Sequence, residues 1–296
     1  MRRHPQLDGG SVKMKIFKTR RELQQFALEL KRSGKTVGFV PTMGYLHDGH
    51  MSLIDIARAK ADVVVVSIFV NPTQFGPTED LDRYPRDFER DLAMCTEHKV
   101  DVIFAPEPDE MYNTDSTTWV EEKKLSAPLC GASRPCFYRG VTTVVSKLFN
   151  LVMPDFAVFG WKDAQQLLVI KRMVRDLDFP VEIIGGALVR DTDGLALSSR
   201  NRYLSSDERA RALAIHKNLL DARKAVEAGG LEALEKALEA ARCGIADSGG
   251  RIDYVTALDL DTMEKPLPES KGILIAAAVF YGTTRLIDNE VIEFSK

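Results

Sequence analysis

The stretch that most constrains this chain is Val63-Val-Val-Val-Ser-Ile-Phe-Val70, a run that is β-branched and apolar on both of its faces. A strand wetted on one side alternates polar and apolar residues. A strand like this one needs cover on both sides, as in a parallel sheet held between helix layers. The surrounding sequence supplies those layers. Thr19 to Ser33 sets Leu23, Phe26, Ala27 and Leu30 at helical spacing, and Gly34 follows as a stop. Thr36-Val-Gly-Phe-Val40 reads as a buried strand, and Met51 to Ala59 as a helix. Asn71-Pro72 ends the valine strand. Pro85 to Lys99 reads as a helix, Asp101 to Phe104 as a strand and Val141 to Val152 as a helix. Asp155 to Phe159 reads as a strand, Ala164 to Leu177 as a helix and Val181 to Val189 as the last strand. Such alternation implies an α/β, Rossmann-like, doubly wound parallel sheet. Ligands on such sheets sit beyond the carboxyl ends of the strands.

The texture changes after Asp191. Ser205-Ser-Asp-Glu208 has the form of a capping box. Two charged, alanine-rich helices follow, near 206–228 and 230–246, and then strands around 252–258 and 272–280. The expected organisation is a Rossmann-like domain over residues 1–188 and a smaller α+β C-terminal domain over 189–296. Residues 1–13 carry Arg2 and Arg3 but no apolar block, and are expected to be a flexible extension before Met14-Lys-Ile-Phe17.

At 296 residues and 45% apolar content, the chain can bury a substantial core. Forty basic side chains against 43 acidic ones leave a net charge of -3, which argues against a protein built to coat nucleic acid. No apolar run reaches membrane-spanning length. The four cysteines, Cys95, Cys130, Cys136 and Cys243, form no CxxC pair and are expected as free thiols of a reducing, cytoplasmic compartment.

Four segments carry chemistry. Pro41-Thr-Met-Gly-Tyr-Leu-His-Asp-Gly-His50 joins a strand to a helix. A helix start offers free N–H groups and a partial positive charge to an anion, and glycines let backbone approach it. Either histidine alone is an ordinary helix cap. His47 and His50 together, flanking Gly49, point to reaction at a nucleotide's α-phosphate. Phe69-Val-Asn-Pro-Thr-Gln-Phe-Gly76 leaves a strand end with two amides, Asn71 and Gln74, suited to a hydroxy acid. Phe159-Gly-Trp-Lys-Asp-Ala-Gln-Gln166 places Lys162 where an ammonium can meet phosphate oxygens. Asp163 there is also a candidate helix cap with Gln166 as its reciprocal partner. Ala196-Leu-Ser-Ser-Arg-Asn-Arg202 sets paired hydroxyls beside a guanidinium, a grip for polyphosphate.

Together these motifs resemble the pantothenate synthetase (pantoate–β-alanine ligase) family of the HIGH-motif nucleotidyltransferases. The family's PTMGxLHxGH stands at 41–50, FVNPxQF at 69–75, FGxKDxQQL at 159–167 and LSSRN at 197–201. Tyr84-Pro-Arg86, Arg139-Gly-Val141 and Thr284-Arg-Leu-Ile-Asp-Asn289 also look familial. Two positions depart: Trp161 stands where members commonly carry Glu, and Phe137 where many carry His.

The resemblance implies that ATP, pantoate and β-alanine give pantothenate, AMP and pyrophosphate through a pantoyl-adenylate. It implies catalytic roles for His47, His50, Lys162 and Arg200. It implies an ATP site at Met43, Gly44, His47, Gly49, His50, Gly160, Lys162, Asp163, Val189, Leu197, Ser198, Ser199 and Arg200. It implies that Gln74, Gln166, Met43 and Asn71 hold the pantoate and β-alanine substrates. Magnesium is expected on the phosphates, with Asp91 as a candidate ligand. A homodimer is implied, and position 137 is given no catalytic role. The C-terminal domain is expected to act as a lid that keeps water from the adenylate. The rival readings are another HIGH-motif adenylyltransferase acting on a cofactor precursor, a class I aminoacyl-tRNA synthetase, and a non-catalytic nucleotide sensor. The chain is short for the second of these and lacks a basic anticodon-binding domain.

Overall fold

The computed structural model describes residues 14–77 and 79–294. The extension expected over 1–13 lies outside the described residues. From the N-terminus run β1 (Lys15–Phe17), α1 (Arg20–Ser33), β2 (Val37–Thr42), α2 (Asp48–Arg58) and β3 (Val63–Ile68). Then come α3 (Phe88–Glu97), β4 (Val102–Phe104), the short α4 (Pro108–Met111) and α5 (Cys130–Ser133), and α6 (Phe137–Val152). β5 (Phe156–Gly160), α7 (Ala164–Asp176) and β6 (Glu182–Gly186) complete this part. The strands form one parallel six-stranded sheet in the order β1-β4-β3-β2-β5-β6.

The valine strand lies inside this sheet and is buried on both faces. Val63 and Val65 pack with Leu23, Phe149 and Ile170 from α1, α6 and α7. Val64 and Val66 point the other way, into a cluster with Leu46, Ile54 and Cys95 around α2 and α3. α1 begins and ends as its sequence dictates. The Thr19 side chain accepts from the Glu22 N–H, and Gly34 closes the helix in the left-handed region at φ 71°.

Strand order reverses between β2 and β5. β2 is followed by neighbours on one side, and the chain then crosses to place β5 and β6 on the other. The crevice at the carboxyl ends of β2 and β5 is therefore the switch point, where open α/β sheets bind ligands. The turns leaving these strands carry His47 and Lys162, and the first turn of α2 carries His50.

The remainder holds α8 (Ser206–Ala212), α9 (Ala214–Gly229), α10 (Leu234–Asp247), β7 (Arg251–Asp259), β8 (Gly272–Tyr281) and β9 (Thr284–Glu293). The capping box forms as expected, with Ser205 and Glu208 bonding reciprocally. The helix expected over 206–228 is interrupted at Leu213, which keeps helical dihedrals at φ -59° and ψ -21°. β9, which the sequence reading did not assign as a strand, completes an antiparallel sheet β7-β8-β9. β8 is buried on both faces. Ile273, Ile275 and Val279 meet α9 and α10, while Leu274 and Ala276 face Leu129, Cys130 and Tyr138 of the first part. The C-terminal sheet thus makes an apolar contact with the α5–α6 region of the first part.

The last parallel strand is shorter than the expected 181–189, ending at Gly186. Two glycines in it accept bulky neighbours. A Cβ on Gly185 would lie 2.6 Å from the Trp161 indole nitrogen, and one on Gly186 would lie 2.2 Å from Leu53. Trp161 therefore packs against the edge of the sheet.

Candidate active site

A cavity of about 790 Å³ opens at the switch point and is lined from both halves of the chain. Its floor is the turn between β2 and α2. The Thr42 hydroxyl donates to Ser67 O (2.7 Å) and accepts from Gly44 N–H (3.2 Å). Gly44 sits at φ 80° and Tyr45 at φ 50°, so the chain reverses sharply there. Asp91 on α3 braces the reversal: one carboxylate oxygen accepts from Tyr45 N–H (2.8 Å), the other from Leu46 N–H (2.7 Å).

His47 ends this turn in an extended conformation, and α2 starts at Asp48. Its backbone N–H donates to His50 Nδ1 (3.3 Å), and its carbonyl accepts from His50 N–H (2.7 Å). An acceptor role for Nδ1 leaves the proton of a neutral His50 ring on Nε2. The two rings lie 4.0 Å apart, centroid to centroid. A Cβ at Gly49 would stand 3.0 Å from the His47 ring, which explains glycine between the histidines. Burial, with the nearby Lys162 ammonium, pushes His47 down to about 4. Burial, then His47 and Lys162, holds His50 well below the ordinary histidine value. Both shifts favour the neutral form of the ring.

Lys162 stands on the single 3₁₀ turn Trp161–Asp163 that follows β5, its Nζ 3.5 Å from an Asp163 oxygen. Gln166, one turn into α7, lines the same cavity. Its neighbour Gln165 is structural. Gln165 accepts from Tyr138 OH and Cys130 N–H, and donates to Leu125 O and Pro128 O. Across the cavity, the Gln74 amide donates to Met43 Sδ (3.1 Å) and accepts from Asn71.

Residues 189–199 close the third side. Leu197 N–H donates to Val189 O (3.0 Å), which folds this segment back on itself. Ser198 caps the next turn, accepting from Arg200 N–H. The Ser199 hydroxyl donates to Tyr45 O (3.3 Å), tying this loop to the histidine turn. Arg200 is held bidentate by Asp80, at 3.0 and 2.9 Å. Burial alone would raise the Asp80 carboxyl, but its bonds to Arg200 keep it below its usual range.

Relatives settle the lineage of this arrangement. The profile of the pantoate-beta-alanine ligase family matches residues 15–291. The chain belongs to the pantoate–β-alanine ligase family. It is 51% identical over 281 residues to a pantothenate synthetase of Thermotoga neapolitana, covering 94% of this chain and 100% of that one. A pantothenate synthetase of Geobacter sulfurreducens is 50% identical over 279 residues, with 94% and 99% covered. Among solved structures, a pantothenate synthetase from Thermus thermophilus superposes with a TM-score of 0.86 at 46% identity, covering 94% and 99% of the two chains. A pantoate-beta-alanine ligase from Francisella tularensis, solved with beta-gamma ATP and beta-alanine, gives 0.77 at 34% identity, covering 94% and 97%.

Within this ligase fold the structure gathers most of the expected residues around one cavity: Met43, His47, Gly49, His50, Asn71, Gln74, Gly160, Lys162, Asp163, Gln166, Val189, Leu197, Ser198, Ser199 and Arg200. Gly44 and Asp91 are not among the lining residues. Gly44 is required by the reversal, since a Cβ there would meet Ile68 at 2.9 Å and Asp91 at 3.0 Å. Asp91, expected as a candidate magnesium ligand, is buried, and each of its oxygens accepts a backbone N–H bond that braces the reversal. Asp163 does not cap α7 with its side chain, so the expected Asp163–Gln166 capping pair is absent. Asn71 lines the cavity with its amide committed. It donates to Gln74 and Gly140 O, and accepts from Thr73 and Tyr112. All four cysteines are free, as expected.

The sequence reading missed several lining residues. Asp80 carries no motif of its own and was not singled out; its role appears only through Arg200. Glu79 beside it pairs with Arg134 of the segment after α5. Asn289 lay in a familial stretch, but nothing in that stretch says what the residue touches.

Proposed function

We infer that this chain condenses pantoate with β-alanine at the expense of ATP, releasing AMP and pyrophosphate. Its membership of the ligase family supports this reading. The observation that carries it is the convergence of two neutral imidazoles, Lys162 and the Gln74–Gln166 pair on one cavity at the sheet's switch point. A free carboxylate resists attack by an amine. Here a pantoate carboxylate oxygen attacks the α-phosphorus of ATP, and the bond to the β-phosphate bridging oxygen breaks as pyrophosphate leaves. The neutral amine of β-alanine then attacks the acyl carbon, AMP departs, and the amine loses a proton to solvent.

Each step asks for alignment and charge stabilisation rather than a protein nucleophile. The N-terminus of α2 and the neutral His47 and His50 rings face growing charge on the phosphates as hydrogen-bond partners. Lys162 follows the charge that moves towards pyrophosphate. Ser198, Ser199 and Arg200 take the outer phosphates, with Arg200 exchanging or sharing its Asp80 partner. Gly160, Asp163, Val189 and Leu197 wall the adenosine. Gln74 and Gln166 hold the pantoate hydroxyls and carboxylate, with Met43 against its dimethyl carbon.

Magnesium enters as part of the nucleotide substrate. Among the described residues no group of three or more His, Cys, Asp or Glu side chains is placed to hold a metal ion. A homodimer rests on the family resemblance and a cytoplasmic location on the free cysteines, and light scattering of the purified protein tests the first. No helix among the described residues is long and apolar enough to cross a membrane.

The test is AMP formation with each substrate omitted in turn. Turnover requiring both pantoate and β-alanine is the expected result. Pyrophosphate release with a phosphorylated acceptor and no amine would favour an adenylyltransferase instead. In the same assay, Lys162→Ala should lower turnover by about a hundredfold or more with the fold intact. Unchanged turnover would remove Lys162 from the chemistry.

A further inference from the structure

The turn that carries Lys162 is fastened from the other end of the sequence. Asn289, on β9 of the C-terminal sheet, sends its side-chain Nδ2 to two successive carbonyls, Trp161 O at 2.9 Å and Lys162 O at 3.1 Å. The amide is 7% exposed, so water is a poor substitute for it. Asn289 is itself held. Its backbone N–H donates to Asp288 Oδ1 (2.8 Å), and the Asp288 carboxylate takes both terminal nitrogens of Arg190, at 2.7 and 2.9 Å. Arg190 follows Val189 in the segment that closes the cavity. A continuous set of bonds therefore runs from that segment through β9 to the peptides flanking Lys162.

Lys162 needs such a hold. Its side-chain partner is Asp163 at 3.5 Å, a loose pairing, and its residue sits in a single 3₁₀ turn rather than a regular helix. A long, flexible side chain on a free turn spreads its ammonium over many positions. Two hydrogen bonds to consecutive carbonyls fix the peptide planes and hence the direction of its Cα–Cβ bond.

We propose that Asn289 is a positioning residue for the first half-reaction: from the C-terminal sheet it sets the backbone of Lys162 against the phosphates. The inference rests on the role given to Lys162 under the proposed function. It makes the docking of β9 a condition for full adenylation rate, while the later attack by β-alanine does not depend on it.

The experiment measures pyrophosphate release from ATP and pantoate in a single turnover without β-alanine, and separately the capture of preformed pantoyl-adenylate by β-alanine. Variants are Asn289→Ala, the similarly sized Asn289→Leu, Lys162→Ala and the double variant Asn289→Ala with Lys162→Ala. Melting curves and circular dichroism confirm the fold, and Asn289→Leu preserves volume if the alanine variant fails to fold. Expected is a slowing of pyrophosphate release by about tenfold or more, since sub-ångström misplacement of a phosphate-gripping group is costly. The capture step and the KM for pantoate should stay within about twofold of wild type. The double variant should be no slower than Lys162→Ala alone, the signature of two residues acting as one unit.

Equal slowing of both half-reactions, or multiplied penalties in the double variant, would overturn the proposal. So would a normal release rate in both Asn289 variants while Lys162→Ala is inactive, a result that leaves the role of Lys162 standing. Wild-type release by Lys162→Ala would instead remove the lysine's role, and the proposal with it.

Discussion

At the scale of single residues, the protonation state of the two imidazoles decides what the site can do. His47 ordinarily titrates near 6.5 but is pushed down to about 4 by burial and by Lys162. Between those values the unfolded chain takes up a proton that the folded chain refuses. Stability therefore falls as pH drops from 6.5 towards 4, and is fully recovered above 6.5. His50, depressed by the same causes, adds to the loss in the same direction. His47→Asn should flatten part of this slope. The difference between urea midpoints at neutral and acidic pH would shrink relative to wild type. An unaltered slope would show that the His47 proton is not excluded by folding. The residue types themselves were legible in the motif. Their lowered pKa values were not, because these follow from burial and from Lys162, which stands on a turn far away in the sequence.

At the scale of elements, the working part is the reversal between β2 and α2, and its geometry depends on α3. Asp91 accepts two backbone N–H bonds from residues far away in sequence, next to two successive positive φ angles at Gly44 and Tyr45. Replacing Asp91 by Asn would turn one acceptor into a donor facing an N–H group in a buried site. The expected cost is about 1–3 kcal/mol of stability, together with lowered activity, because one hydrogen bond is lost and one backbone donor is orphaned. The magnesium concentration giving half-maximal rate should not move. A shift to much higher magnesium in Asp91→Asn would restore the metal role expected from the sequence. Elements with a clear local pattern were read correctly: the valine strand, the capped α1, and α7 with its buried Leu167, Ile170 and Met173. β9 was not assigned as a strand. Its sequence, Thr284-Arg-Leu-Ile-Asp-Asn-Glu-Val-Ile-Glu293, carries Asp288 and Asn289 in mid-strand, residues that disfavour strands in isolation. Both are held by tertiary partners, Arg190 and the Trp161–Lys162 carbonyls.

At the scale of the whole molecule, the C-terminal sheet lies against the first part through Leu274 and Ala276, packed on Leu129, Cys130 and Tyr138. We propose that this contact keeps the sheet over the cavity and shields the adenylate from water. Leu274 is 1% exposed, and Leu274→Ala should cost about 2–5 kcal/mol by opening a cavity in the contact. If the sheet acts as a lid, the same change should raise AMP release in the absence of β-alanine, as water reaches the anhydride. A destabilised variant that still releases no AMP without the amine would argue that shielding comes from elsewhere.

The sequence by itself determined the parallel sheet, through a strand apolar on both faces. It also determined the residue types of the phosphate site, because strand ends followed by glycine-bearing turns and helix starts are local features. Only the tertiary structure decided which of those residues face the cavity and which brace it. Gln165 and Gln166 are adjacent and chemically identical and both line the cavity, yet the side-chain amide of Gln165 is committed to four protein hydrogen bonds. Asp91 and Asp80 are both acids of the same region, yet one holds backbone and the other holds Arg200. The physical reason is that a polar side chain's role is set by the partners that satisfy it on burial, and these come from distant parts of the chain.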